Sequence, residues 1–106
     1  MDIDIHPNVK IGYGLYVHNK GIIIAQGVNI GNNAKLIGPI TIGVSFNKVG
    51  SAKIGNAVTI STGARIIGPV SVGNNVVIGA NAVVVNNFSD NVVIGGVPAR
   101  IIKNNN

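Results

Sequence analysis

His18 sits in the stretch GLYVHNKGIII, Gly14 to Ile24, between two apolar runs, and Asp4 lies fourteen residues before it. Imidazole, with a reference pKa of about 6.5, can take a proton near neutral pH. Such a base serves reactions in which an alcohol must lose its proton as it attacks. A carboxylate in reach can hold the ring in one orientation and stabilise the imidazolium that forms. The plainer reading makes His18 an exposed turn residue and Asp4 an ordinary acid near the start of the chain. His6 is the rival base; it precedes Pro7, whose ring biases it towards extended backbone. Two histidines and three aspartates without repeated close spacing are a poor set of metal ligands, so no metal is expected. The many Gly-x-x-Gly matches are by-products of a repeat, not a phosphate-cradling loop.

At 106 residues and 10.8 kDa the chain is expected to form one domain, 1–106. It is too short for a catalytic domain plus a separate substrate domain, so an elaborate site calls for a second copy. Cysteine is absent, which excludes disulfides, thiolate metal sites and a cysteine nucleophile. The longest apolar runs, such as GIIIA, are broken by Gly and Asn, so neither a signal peptide nor a membrane span is expected, and the cytoplasm is the default location. The net charge of +5 comes from scarcity of acids, with scattered lysines and arginines and only four aromatic residues. That pattern suits a small phosphorylated ligand better than nucleic acid.

The elements that must position these residues come from a repeat. Written from Ile24 in sixes, the chain reads IAQGVN, IGNNAK, LIGPIT, IGVSFN, KVGSAK, IGNAVT, ISTGAR, IIGPVS, VGNNVV, IGANAV. Apart from Lys48, every first position is Ile, Leu or Val, and the fifth is mostly small or β-branched. A six-residue period has no 3.6-residue component, so amphipathic helices are excluded. A short strand and a tight turn, repeated, with three units to a coil, predict a triangular solenoid of about five coils with a column of Ile and Val inside. Gly and Asn accept the turn conformations with φ > 0 that β-branched residues refuse. An antiparallel sandwich would show period-two alternation and irregular turns instead.

Three segments break the rhythm. Thirteen residues separate Ile11 from Ile24, so one residue must loop out, at VHNKG. Lys48 occupies a core-type position, so VSFNKVG is expected to leave the coil as a loop. After Val84, VNNFSDNVV delays the next aliphatic, Ile94, and reads as a turn-out leading to a final short strand. Loops that break a solenoid's period are where function tends to sit.

The repeat, the opening DIHPNVKIGYGLYVHNKGIII and the ending IGANAVVVNNFSDNVVIGGVPARIIK together resemble the hexapeptide-repeat acyltransferases, within them the serine acetyltransferase branch and its sugar O-acetyltransferase relatives. The resemblance runs from Asp4 to Lys103. It implies an all-β, left-handed parallel β-helix, a homotrimer, and acetyl-CoA lying between neighbouring subunits, with a small-molecule hydroxyl acceptor, an amino acid or a sugar. The general preference for right-handed crossovers points the other way. Serine acetyltransferases usually carry an N-terminal helical domain, which is missing from this sequence.

By the same resemblance His18 takes the place of the family's catalytic base and Asp4 that of its orienting aspartate, with Asn19 and Lys20 standing where the family's turn has Pro and Gly. Thr62 and Ala80, eighteen apart, match positions along the pantetheine arm. Pro98 and Ala99 belong to the closing VPAR turn, and Arg100 and Lys103 are the candidate cations for the cofactor's phosphates; otherwise they form a solvated tail. The closing three asparagines read as disordered. VSFNKVGSAK departs from the family's loop, which is longer or carries a histidine that contacts the acceptor. A carbonic-anhydrase-type zinc site would want three histidines and is not expected. The functional expectation is therefore a CoA-dependent O-acetyltransferase without a metal, and the competing one a non-catalytic trimeric scaffold or relic.

Overall fold

A computed structural model describes residues 3–106. Strands of two to five residues alternate with tight turns, and no helix occurs among the described residues. The first coil carries β1 (Ile3–Ile5), β2 (Lys10–Ile11) and β3 (Tyr16–His18); the second β4 (Ile22–Ile24), β5 (Asn29–Ile30) and β6 (Lys35–Ile37). The third carries β7 (Ile40–Gly43), β8 (Lys53–Ile54) and β9 (Thr59–Ile60); the fourth β10 (Arg65–Ile67), β11 (Ser71–Val72) and β12 (Val77–Ile78). The fifth carries β13 (Val83–Val84) and β14 (Val92–Gly95), and β15 (Arg100–Asn104) closes the chain.

Strands stack in three parallel sheets, the faces of a prism. The first face is β1-β4-β7-β10-β13 and the second β2-β5-β8-β11; the third is β3-β6-β9-β12-β14, to which β15 adds antiparallel. This is the left-handed parallel β-helix of about five coils that the resemblance implied. The right-handed rule rests on strand twist feeding the crossover, and strands of two or three residues carry little twist to impose it.

The core follows the repeat. All the aliphatic first positions from Ile24 to Val84 are buried, as are Val28, Ala34, Ile40, Ala52, Val58, Ala64, Val70, Val76 and Ala82 at the fifth. Lys48 is exposed, as expected of the one exception. Asn33, Asn75, Asn81 and Asn91 take φ between 55° and 61°, the left-handed region that Asn tolerates at such turns.

Register locates the breaks. His18 faces Ile37, nineteen residues on, but Ile22 faces Ile40, eighteen on, so the extra residue lies in Asn19-Lys20-Gly21. Ile24 faces Ile42 while Ile30 faces Ile54, so residues 44–50 hold a whole inserted hexad; that is why the six-residue count never slips there. The third expectation needs correction. VNNFSDNVV does not turn out: the fifth coil takes a shorter path, four residues from Val84 to Phe88 where the fourth uses six from Ile66 to Val72. Phe88 bridges to Val72 and packs against the core, its larger ring filling the column that shorter aliphatics fill elsewhere. Nor is the tail loose. Asn105 donates its backbone N–H to Asn91 O (2.8 Å), and its side chain and carbonyl bond to Asn75.

Candidate active site

Asp4 and His18 both lie in the first coil. Asp4 is the outward residue of β1, opposite Ile23 of β4; His18 ends β3 on the neighbouring face, and only Asn19-Lys20-Gly21 separates it from β4. Both side chains are exposed. Positive φ at Asn19 (68°) and Gly21 (84°), either side of Lys20, make the corner that turns the chain from one face to the other. Among the described residues no hydrogen bond or ion pair joins the Asp4 carboxylate to the imidazole. The ring that does meet His18 is Tyr16, two residues back on the same strand face, with centroids 6.3 Å apart and planes 5° from parallel. Sequence reasoning missed Tyr16, although an i, i+2 pair on a strand was the available signal.

His6 is tied into a turn. Its Nδ1 accepts the Asn8 N–H at 3.2 Å, while its backbone N–H donates to Ile24 O. That arrangement fits a structural role.

The other singled-out residues fall on the corner that His18 opens, between the third and first faces. Gly38 N–H donates to His18 O (2.8 Å), the Thr62 hydroxyl donates to Gly38 O (2.9 Å), and Asn81 N–H donates to Thr62 O (3.0 Å). Ala80 precedes Asn81 at the same corner one coil on, and Gly96, whose carbonyl accepts from Val83 N–H, turns it in the coil after that. His18, Thr62, Ala80 and the Gly96 turn are thus brought into one line parallel to the prism axis, while Asp4 stands on the first face and Arg100 and Lys103 on β15. From β3 to β15 that line climbs five strand spacings, roughly 24 Å at about 4.8 Å each.

Within the line the residues differ in what they offer. Ala80 and Pro98 are small or compact and exposed; Thr62 is exposed too, with its hydroxyl folded back on the coil below. Ala99 is buried at 5 %, so only its backbone is on offer, and its N–H already donates to Val83 O. Arg100 and Lys103 are exposed on β15, opposite Gly95 and Val93 of β14. Among the described residues no three His, Cys, Asp or Glu side chains gather as a metal site, and no helix is long and apolar enough to cross a membrane.

Residues 51–86 match the family model "Bacterial transferase hexapeptide (six repeats)". The chain is 36% identical over 104 residues to a serine acetyltransferase of Haemophilus influenzae, covering 95% of this chain and 39% of the relative. It is 39% identical to one of Buchnera aphidicola subsp. Schizaphis graminum, covering 95% and 40%. A crystal structure of the Brucella abortus strain S19 serine acetyltransferase in complex with Coenzyme A superposes with a TM-score of 0.94 at 33% identity, covering 98% of this chain and 43% of that one. The chain therefore spans about two fifths of the length of the curated relatives it matches. Residues 51–86 thus carry a transferase hexapeptide repeat, and nearly the whole chain is similar to a part, about two fifths, of serine acetyltransferases.

Proposed function

We propose that the chain is a one-domain, CoA-dependent O-acetyltransferase that works as a cytoplasmic homotrimer. One observation carries the reading: His18, Thr62, Ala80 and the Gly96 to Arg100 turn occupy a single corner of the prism. An extended thioester laid along such a corner would meet small exposed residues in the middle and the cations of β15 at the far end. The Thr62 hydroxyl, occupied by Gly38 O, leaves that path clear. The relative solved with Coenzyme A supports the same co-substrate here.

In this reading His18 takes the proton of the acceptor hydroxyl as its oxygen attacks the acetyl carbonyl, then returns it to the departing sulfur. Asp4 orients the imidazole, and a backbone N–H beside the corner stabilises the oxyanion. In the proposed trimer, acetyl-CoA and a hydroxyl acceptor, an amino acid or a sugar, lie between subunits. A second reading, a non-catalytic trimeric scaffold, draws on the inserted loop 44–50, which has no histidine and leaves Phe46 fully exposed.

Calorimetric titration with acetyl-CoA, alongside the mass in solution, tests the proposal. Micromolar binding to a trimer is the expected result. A folded trimer that binds no acetyl-CoA would sink the enzyme reading and leave the scaffold.

A further inference from the structure

His18 lacks a neighbouring strand on the open side of β3, the edge strand of the third face; only β6 lies beside it. Val17, paired with the buried Leu36, takes the inward position between Tyr16 and His18, which puts those two side chains together on the outer surface. Across the sheet the residue in register with His18 is Ile37. Among the described residues no hydrogen bond reaches the imidazole, and the one ring that meets it is Tyr16, with planes 5° from parallel and centroids 6.3 Å apart.

Parallel rings at that separation attract one another. An exposed imidazole otherwise has broad, two-fold freedom about χ2 and reorients on a picosecond-to-nanosecond scale. Its nitrogens then point away from a bound hydroxyl for part of the time. Tyr16 opposes that rotation, because turning the His18 plane loses the parallel contact. The contact joins ring to ring and does not require the phenol oxygen.

We infer that Tyr16 is a positioning residue for His18, holding the imidazole plane so that one nitrogen stays presented to the acceptor hydroxyl. For its effect on rate the inference rests on the acetyl-transfer reading; its effect on the order of the His18 ring belongs to the free protein and does not.

The test compares wild type, Tyr16→Ala and Tyr16→Phe. Tyr16 is 53% exposed, so neither change removes core packing. Relaxation of the His18 ring ¹³C–¹H signals is measured in the free protein, with the His6 ring as internal reference, and thiol release from acetyl-CoA is measured with L-serine and with glucose as acceptor. Tyr16→Ala is expected to lower the order parameter of the His18 ring and leave that of His6 in place. It should also reduce kcat about three- to tenfold, the worth of an aromatic contact, with the KM for acetyl-CoA within about twofold. Tyr16→Phe should restore both. Unchanged His18 order or unchanged kcat in Tyr16→Ala, or failure of Tyr16→Phe to restore them, would each overturn the inference while acetyl transfer by the wild type stands. No thiol release by the wild type with either acceptor would overturn the acetyl-transfer reading, and this inference with it.

Discussion

The two histidines differ in what already holds them. His6 is bound at Nδ1 by its own turn, while His18 carries no hydrogen bond on its ring among the described residues and stands exposed at the head of a continuous corner. A general base must be open to the proton it removes, so the free ring is the better candidate. His18→Ala is expected to lower the acetylation rate about 10²- to 10⁴-fold while acetyl-CoA binding by calorimetry stays within about twofold. An unchanged rate would remove the base from the mechanism. His6→Ala should instead lower the unfolding free energy and leave the rate within a few-fold. The identity of His18 could be read from its motif; its ring neighbour could not. Side-chain pairing depends on which strand face a residue joins, and the coarse strand assignment left the first coil's phase open until β3 was bounded at Tyr16.

Among the elements, the corner between the second and third faces is held by a ladder of side-chain oxygens from Asn and Asp. Asn32, Asn56 and Asn74 donate their backbone N–H groups to the next coil's Asn56 Oδ1, Asn74 Oδ1 and Asp90 Oδ1 at 2.7 to 2.8 Å. Each side-chain oxygen, the amides of Asn56 and Asn74 and the carboxylate of Asp90, supplies the acceptor that the tight turn denies to a backbone N–H. Asn74→Ala should cost about 1 to 2 kcal/mol in urea unfolding, with an unchanged slope. A loss indistinguishable from zero would mean that water satisfies the corner equally well. The close stacking at this corner also explains its glycines: a Cβ on Gly55 would lie 2.7 Å from the Gly73 carbonyl carbon in the coil above. The turn composition was evident in the sequence, but the inter-coil partners were not. They lie sixteen to twenty-four residues apart, and the inserted hexad changes that separation without disturbing the six-residue count.

Across the whole molecule, stability is a stack of coils sharing one column of side chains. Leu36 is wholly buried in that column, between neighbouring coils. Leu36→Ala should destabilise the protein by about 2 to 5 kcal/mol in chemical denaturation, since the coils above and below cannot collapse into the gap. A cost below about 1 kcal/mol would show that the solenoid relaxes like a loose assembly. Inward residues of the first coil behave differently. Leu15 and Val17 are 38% and 37% exposed because no coil covers them within the described residues, whereas their counterparts in the next coil, Ala34 and Leu36, are at 0%.

The sequence by itself determined the class of fold, the core and the turn positions. Hydrophobic burial and the conformational freedom of Gly and Asn act locally, and a period of six repeats both. Among the residues it singled out through resemblance, His18, Thr62 and Ala80 lie at one corner, while Asp4 lies on the first face. Tertiary structure alone decided the register: the single extra residue at Asn19-Lys20-Gly21, the whole hexad inserted at 44–50, and the shortened fifth coil in which Phe88 completes the column. Those decisions rest on which strand lies beside which, a relation between residues about eighteen apart that a repeat suggests and only packing settles.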